Sequence, residues 1–209
     1  MLMMQRYFEK CLNAEYTHTA EGGDYAIQRN GAIIFLLFQH SNGKEDWKNN
    51  FDFPITPYRD MSPKWYCHRG FLRVWKAMRD EIEAKVAEMF SESHVARIIC
   101  IGYSHGAALS VLATEDMTYL YGDKCEVFGY GFGVPRVLWG IVPKEVKERL
   151  KSFKSVRNIP DIVTHVPPAI MGYKHAGTLV RIGEIRKCSP IKAHYAEAYI
   201  EELKAEPTL

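Results

Sequence analysis

The sequence predicts an α/β fold with a mostly parallel central sheet and helices on both faces, and three observations carry that prediction. Short apolar runs alternate with amphipathic stretches along the chain. Two of the runs, AIIFLLF (32–38) and ARIICIG (96–102), are continuous and too short for ordinary helices, which suits strands covered on both faces. Directly after the second run, Ser104 stands between Gly102 and Gly106 and opens a helix-forming stretch. A strand that turns sharply into a helix needs glycines on either side of the turn, because the backbone crosses itself closely there.

The elements follow in order. DYAIQRNGAIIFLLF places Asn30-Gly31 between two runs, the signature of a two-residue hairpin, so the sheet should be mixed at its N-terminal edge. From 70 to 90 the apolar residues Phe71, Leu72, Trp75, Met78, Ile82, Val86 and Met89 recur at steps of three and four, one face of a long helix. A second helix should begin at the Ser104 turn and run through GAALSVLATEDMTYLY. CEVFGYGFG (125–133) reads as the next strand, and PKEVKERL (143–150) as a short helix with proline in its first turn. FKSVRNI (153–159) and GTLVRIG (177–183) complete the strands, and KAHYAEAYIEEL (192–203) closes the chain as an amphipathic helix.

There are no repeats or low-complexity linkers, so residues 1–209 are expected to form a single domain. With 27 basic and 25 acidic residues the net charge is +2, which argues against a nucleic-acid or polyanion partner. MLMMQRYFEKCLNAEY carries Arg6 and two acidic residues and does not read as a signal peptide. No stretch approaches the about 18 apolar residues of a membrane span. The five cysteines, Cys11, Cys67, Cys100, Cys125 and Cys188, are odd in number and without a CxxC pair. They read as reduced, buried thiols, and the expected location is cytoplasmic. No zinc-like spacing occurs, so neither a metal nor another cofactor is expected.

A serine hydroxyl needs a base within hydrogen-bond reach, and the base needs an acid to fix its tautomer and stabilise its charged form. In a strand–turn–helix serine site these follow in the order acid, then histidine. Downstream of Ser104 lie His165, His175 and His194. His194 falls after the last strand and at the start of the last helix, at the sheet edge where Ser104 emerges. His175 precedes a strand and is expected at the opposite end, while His165 is four residues from the acid and reads as a loop residue. Asp161 follows a strand end in RNIPDIVTHVPP, stiffened by Pro160, Pro167 and Pro168. Asp116 and Asp123 lie on or after the second helix and read as solvent-facing. The trio is therefore Ser104, Asp161 and His194.

GYSHG, FGVPRV (132–137), DIVTHVPP (161–168) and the terminal AHYAEAYI resemble, in order and spacing, the fungal-type class 3 lipases. CHRGF (67–71) is similar to the segment that opens that family's long helix. FQHSNGKEDWKNNFDF is similar to the segment carrying its oxyanion residue and lid. The resemblance covers residues 25–204 and implies an α/β-hydrolase fold. It further implies hydrolysis of lipid or other acyl esters through an acyl-enzyme, with the triad on Ser104, Asp161 and His194. It also implies an oxyanion hole made by the backbone N–H of His105 and by Ser41, donors worth about 3–4 kcal/mol each. The chain departs from the family in having Gln39-His40 before Ser41, and Tyr103 and His105 around the serine.

In NGKEDWKNN, the stretch corresponding to the lid, Trp47 is the only large apolar residue. Contact with a lipid surface, which scales with buried apolar area, is therefore expected to be transient. Ile141, Val142, Ile170 and Met171 either line an acyl pocket or pack in loops and core. Two other readings remain: an esterase, thioesterase or amidase acting on a non-lipid substrate, and a non-catalytic protein that keeps the fold.

Overall fold

The computed structural model describes residues 2–20, 22–40, 54–58, 60, 62–184 and 189–205. Helix α1 (Leu2–Leu12) leads into strands β1 (Thr17–His18), β2 (Gly23–Asn30) and β3 (Ile33–His40). Strands β4 (Ile55–Tyr58) and β5 (Trp65–His68) precede the long helix α2 (Arg69–Glu92). Next come β6 (Arg97–Tyr103), α3 (His105–Tyr121), β7 (Glu126–Phe132), β8 (Leu138–Trp139) and α4 (Lys144–Arg149). The chain ends with β9 (Phe153–Asn158), β10 (Tyr173–Lys174), β11 (Thr178–Ile182) and α5 (Ala196–Ala205).

The main sheet runs β1-β2-β3-β6-β7-β9-β11. From β3 to β11 every pairing is parallel, and the β1–β2 and β2–β3 pairings are antiparallel, the mixed N-terminal edge that the hairpin predicts. The hairpin loop is Gly31-Ala32, one residue later than Asn30-Gly31, because Asn30 still pairs with Ile33. Gly31 takes the left-handed conformation there, with φ 57°.

Helices cover both faces, which explains the uninterrupted apolar strands. Ile34, Leu36 and Phe38 of β3 pack toward α2 and α3, where Phe71, Trp75, Met78, Ile82 and Leu109 meet them. Phe35 and Leu37, pointing the other way, pack with Ile99, Ile101, Phe132 and Val156 against Phe8, Cys11, Tyr199 and Leu203 of α1 and α5. Each large side chain so buried contributes about 1.5–3 kcal/mol before the cost of ordering it.

A smaller sheet, ordered β10-β8-β5-β4, adds Tyr58, Trp65, Cys67 and Leu138 to the α2–α3 side of the core. Trp75 Nε1 donates to Tyr58 Oη at 3.0 Å, and Tyr58 donates to Asp116 Oδ2 at 3.4 Å. Asp116 is thus buried, not solvent-facing as the sequence suggests, whereas Asp123 is exposed. The physical reason is that α3 is enclosed on nearly every side. Its neighbour Glu115 is fully buried and held by Arg149 at 2.7 Å. Burial pushes Glu115 up to about 7 against the pull of Arg149, and pushes Asp116 up to about 8. Among the described residues no helix is long and apolar enough to cross a membrane.

Candidate active site

The sheet hands the chain from β6 to α3 through Ser104, whose φ and ψ are 56° and −123°. It is the one non-glycine with positive φ among the described residues. A conformation of this kind costs about 1–3 kcal/mol and persists only where its surroundings enforce it. The enforcement is visible on both sides. A Cβ on Gly102 would sit 2.1 Å from the carbonyl oxygen of Gly106, and one on Gly106 would sit 2.2 Å from that of Phe38. The Ser104 N–H donates to Phe132 O at 2.9 Å, tying the corner to β7.

Asp161 stands just beyond β9, fully buried. Its Oδ1 accepts from the Val163 N–H at 2.8 Å and caps a short 3-10 turn, Ile162–His165. Its Oδ2 accepts from His194 Nδ1 at 2.8 Å and from Tyr199 Oη at 2.6 Å. A carboxylate can only accept, so the proton of His194 lies on Nδ1. Nε2 is then left to face Ser104 Oγ, at 2.7 Å. Ser104, His194 and Asp161 therefore form one continuous hydrogen-bonded line, as their positions in the sequence suggest.

Three residues, Asn158, Tyr103 and Gly133, hold the line in place. His194 closes the 3-10 turn Lys192–His194, and Asn158 Nδ2 donates to the carbonyl of Ala193 at 3.0 Å. The Tyr103 ring stacks on the imidazole, centroids 5.4 Å apart and planes 23° apart, and its hydroxyl donates to the carbonyl of His194. Gly133, with φ 64°, passes so close that a Cβ would lie 2.8 Å from His194 Cε1 and 3.1 Å from Asp161 Oδ2.

Residues 35–171 match the family model described as Lipase (class 3). The chain belongs to the class 3 lipase family. It is 27% identical to a lipase of Rhizomucor miehei over 146 residues, which are 69% of this chain and 40% of that protein. It is 24% identical to the secreted mono- and diacylglycerol lipase A of Penicillium camembertii over 162 residues, 78% of this chain and 52% of that one. The chain thus spans about half the length of these curated relatives. The Rhizomucor miehei lipase in complex with its propeptide superimposes with a TM-score of 0.71 at 22% identity, covering 88% of this chain and 66% of that one. This likeness establishes the α/β-hydrolase fold.

In this class 3 lipase family member the matched segment contains Ser104 and Asp161 and ends before His194. His194 is set apart from the other downstream histidines by its geometry, with Ser104 Oγ at 2.7 Å and Asp161 Oδ2 at 2.8 Å. His165 is exposed and accepts at Nε2 from Arg157. His175 is not at the far end of the sheet. Its ring lies against the Thr164 backbone, and burial together with the charge of Arg136 pushes it down to about 4. Neither histidine has Ser104 as a hydrogen-bond partner.

His105 is the first residue of α3, where backbone N–H groups point out of the helix end, and its ring packs edge-on against Phe71 at 5.2 Å. Ser41 and the lid-like stretch 42–50 lie outside the described residues. Val142 is buried core, while Ile141 is exposed on a loop, and Ile170 and Met171 are exposed on the short 3-10 turn Ala169–Met171.

Tyr199 is a neighbour of Asp161 that the sequence does not point to. Its Oη also accepts from the Asn158 N–H at 3.1 Å, and burial next to Asp161 keeps the phenol well above its ordinary range. It therefore remains a donor to the carboxylate. The available signal was a tyrosine on the buried face of the last helix, since a buried phenol must find a polar partner.

The cytoplasmic location is corrected by the relatives: those from Penicillium and Fusarium solani are named as secreted enzymes. The inference from cysteines fails for a physical reason. Cys11, Cys67 and Cys100 are fully buried, and burial raises each thiol above its ordinary range, Cys11 to about 11 and Cys100 to about 12. Thiols so enclosed are inert in any redox compartment.

Proposed function

We propose that this chain hydrolyses carboxylic esters of the lipase class, lipid or other acyl esters, with Ser104 as nucleophile, His194 as base and Asp161 as its orienting acid. The observation that carries this reading is the line from Ser104 Oγ to His194 Nε2 at 2.7 Å and from His194 Nδ1 to Asp161 Oδ2 at 2.8 Å, built on a strained corner.

Ser104 Oγ attacks the ester carbonyl carbon as its proton passes to His194 Nε2. Asp161, accepting from Nδ1, stabilises the imidazolium that forms. The carbonyl oxygen becomes an oxyanion held by the His105 N–H at the helix N-terminus, with Ser41 as the second donor. Collapse of the intermediate breaks the bond to the alcohol, which leaves with the proton from His194 and leaves the acyl group on Ser104. Water then attacks, giving its proton to His194, and the acid departs as that proton returns to Ser104. The relatives named mono- and diacylglycerol lipases support acyl glycerols as the substrate class. The polar composition of 42–50 favours dissolved short-chain esters over emulsified fat.

Turnover of p-nitrophenyl butyrate tests the reading. Ser104→Ala should lower kcat about a million-fold in a protein that melts like the parent. Near-parental turnover by that variant overturns it.

A further inference from the structure

Beside Asp161 and His194, one edge of the molecule gathers positive charge without a paired carboxylate among the described residues. β9 and β11 run parallel with Arg157 directly opposite Arg181, so both side chains leave the same face of neighbouring strands about 4.8 Å apart. Like charges in that relation repel. Arg136 reaches the same corner from the loop after β7. Its N–H donates to Val166 O at 2.8 Å, and its Nη1 donates to the carbonyls of Pro167, at 2.9 Å, and His165. Arg157 Nη2 donates to Ile159 O at 3.2 Å and to His165 Nε2. His175 completes the corner against the Thr164 backbone.

These contacts brace the loop that carries Asp161, but they use one nitrogen of each of two arginines. Arg136 Nε and Nη2, Arg157 Nε and Nη1, and the whole of Arg181 have no acceptor among the described residues. Arg157 Nε is buried in that state, as are both ring nitrogens of His175 from other side chains. Among the described residues no carboxylate forms an ion pair with any of the three arginines. The nearby Asp161 is already engaged by His194, Tyr199 and the Val163 N–H. Burial and the neighbouring guanidinium groups lower Arg136, Arg157, His165 and His175 alike. Bracing alone explains neither the unused forks nor the placement of Arg181.

We propose that Arg136, Arg157 and Arg181, with His165 and His175 at their margin, form a binding site for a phosphate group, either free or carried on a lipid headgroup. Planar guanidinium forks match phosphate oxygens in pairs, and three of them converging suit a tetrahedral dianion better than a carboxylate with two oxygens. Arg181 and His165 are exposed, so the corner opens to solvent along the edge strand. An anion there would offset the repulsion between the paired arginines and leave the relay geometry intact. This proposal does not depend on the substrate of Ser104.

Thermal melting of the whole chain in inorganic phosphate, against chloride at matched ionic strength, tests the site. At ten times the dissociation constant the melting temperature should rise by about 4 °C. Arg181→Gln should abolish most of that rise while leaving ester turnover unchanged, and Arg181→Lys should keep part of it. Lys151→Gln, an exposed lysine at the other end of β9, should keep all of it. Flotation of Ser104→Ala protein with phosphatidylcholine vesicles, with and without phosphatidic acid, separates the two sources. Binding that needs phosphatidic acid and is lost with Arg181→Gln identifies a headgroup, and a phosphate response without vesicle binding identifies a free anion. An equal rise in the parent and Arg181→Gln, an equal loss in Lys151→Gln, or no response to phosphate or vesicles overturns the proposal.

Discussion

Replacing Gly133 by alanine separates the geometry of the relay from the stability of the fold. Two effects follow from the structure. The φ of 64° imposes left-handed strain of about 1–2 kcal/mol on any residue with a Cβ. The new methyl would also lie 2.8 Å from His194 Cε1, 3.0 Å from His194 Nδ1 and 3.1 Å from Asp161 Oδ2. Ordinary contact requires the imidazole and carboxylate to retreat by about 0.5 Å, which bends the line from Ser104 Oγ. Because a 1 Å misplacement costs about a hundredfold, kcat/KM should fall by about 10- to 100-fold. Gly31→Ala is the control. Gly31 has φ 57° with nothing within 4 Å of its added Cβ, and it sits in the β2–β3 hairpin. It bears the strain without the clash. Both variants should melt about 2–8 °C below the parent, and p-nitrophenyl butyrate kinetics should separate them, with Gly31→Ala at the parental rate. Equal kcat/KM for the two variants would refute the account of how the imidazole is held.

Other consequences follow from the same contacts. Tyr199→Phe removes a donor to Asp161 and an acceptor for the Asn158 N–H, so it should cost about 1.5–3 kcal/mol in stability and lower kcat more than it changes KM. Calorimetry together with steady-state kinetics checks both effects, and an unchanged Tm and kcat would count against that role. Asp116 sits at about 8 in the fold against an ordinary 3.8, so the folded state holds a proton that the unfolded state has lost between those values. Its contribution is full below pH 4 and is lost as pH rises toward 8. The Tm of Asp116→Asn relative to the parent should therefore increase between pH 5 and pH 8, and a constant difference contradicts the assignment. The proton relay needs no metal, so ester turnover should survive prolonged EDTA treatment. Loss restored by zinc would mean that the histidines serve another chemistry.

The parts of the fold that the sequence made legible are those with a long, regular pattern. The apolar runs at 32–38 and 96–102 became β3 and β6, and the three-four spacing from Phe71 to Val86 became the buried face of α2. The small sheet left no such trace. Its strands are two to four residues long, and Trp139 of β8 pairs with Tyr66 of β5 and Tyr173 of β10, partners that only the finished fold brings near. Helix α1 buries just Phe8 and Cys11, too few apolar positions to stand out. At the candidate site, the meeting of Ser104 with His194 was legible because a strand–turn–helix corner and a last-helix start are local features. Tyr199 was not, because its partner Asp161 lies on another element. Asp116 was misread because polarity alone cannot reveal that α3 is enclosed on nearly every side.

The central claim is that His194, oriented by Asp161, activates Ser104. A fluorophosphonate reacts covalently with a serine hydroxyl only where a base accepts its proton, so the most direct measurement is the site and rate of that adduct on the intact chain, read by mass spectrometry. One adduct is expected, on the peptide containing Ser104, lost in His194→Ala and retained within about tenfold in rate in His175→Ala. An adduct on another serine, or one that survives His194→Ala and vanishes in a folded His175→Ala, contradicts it.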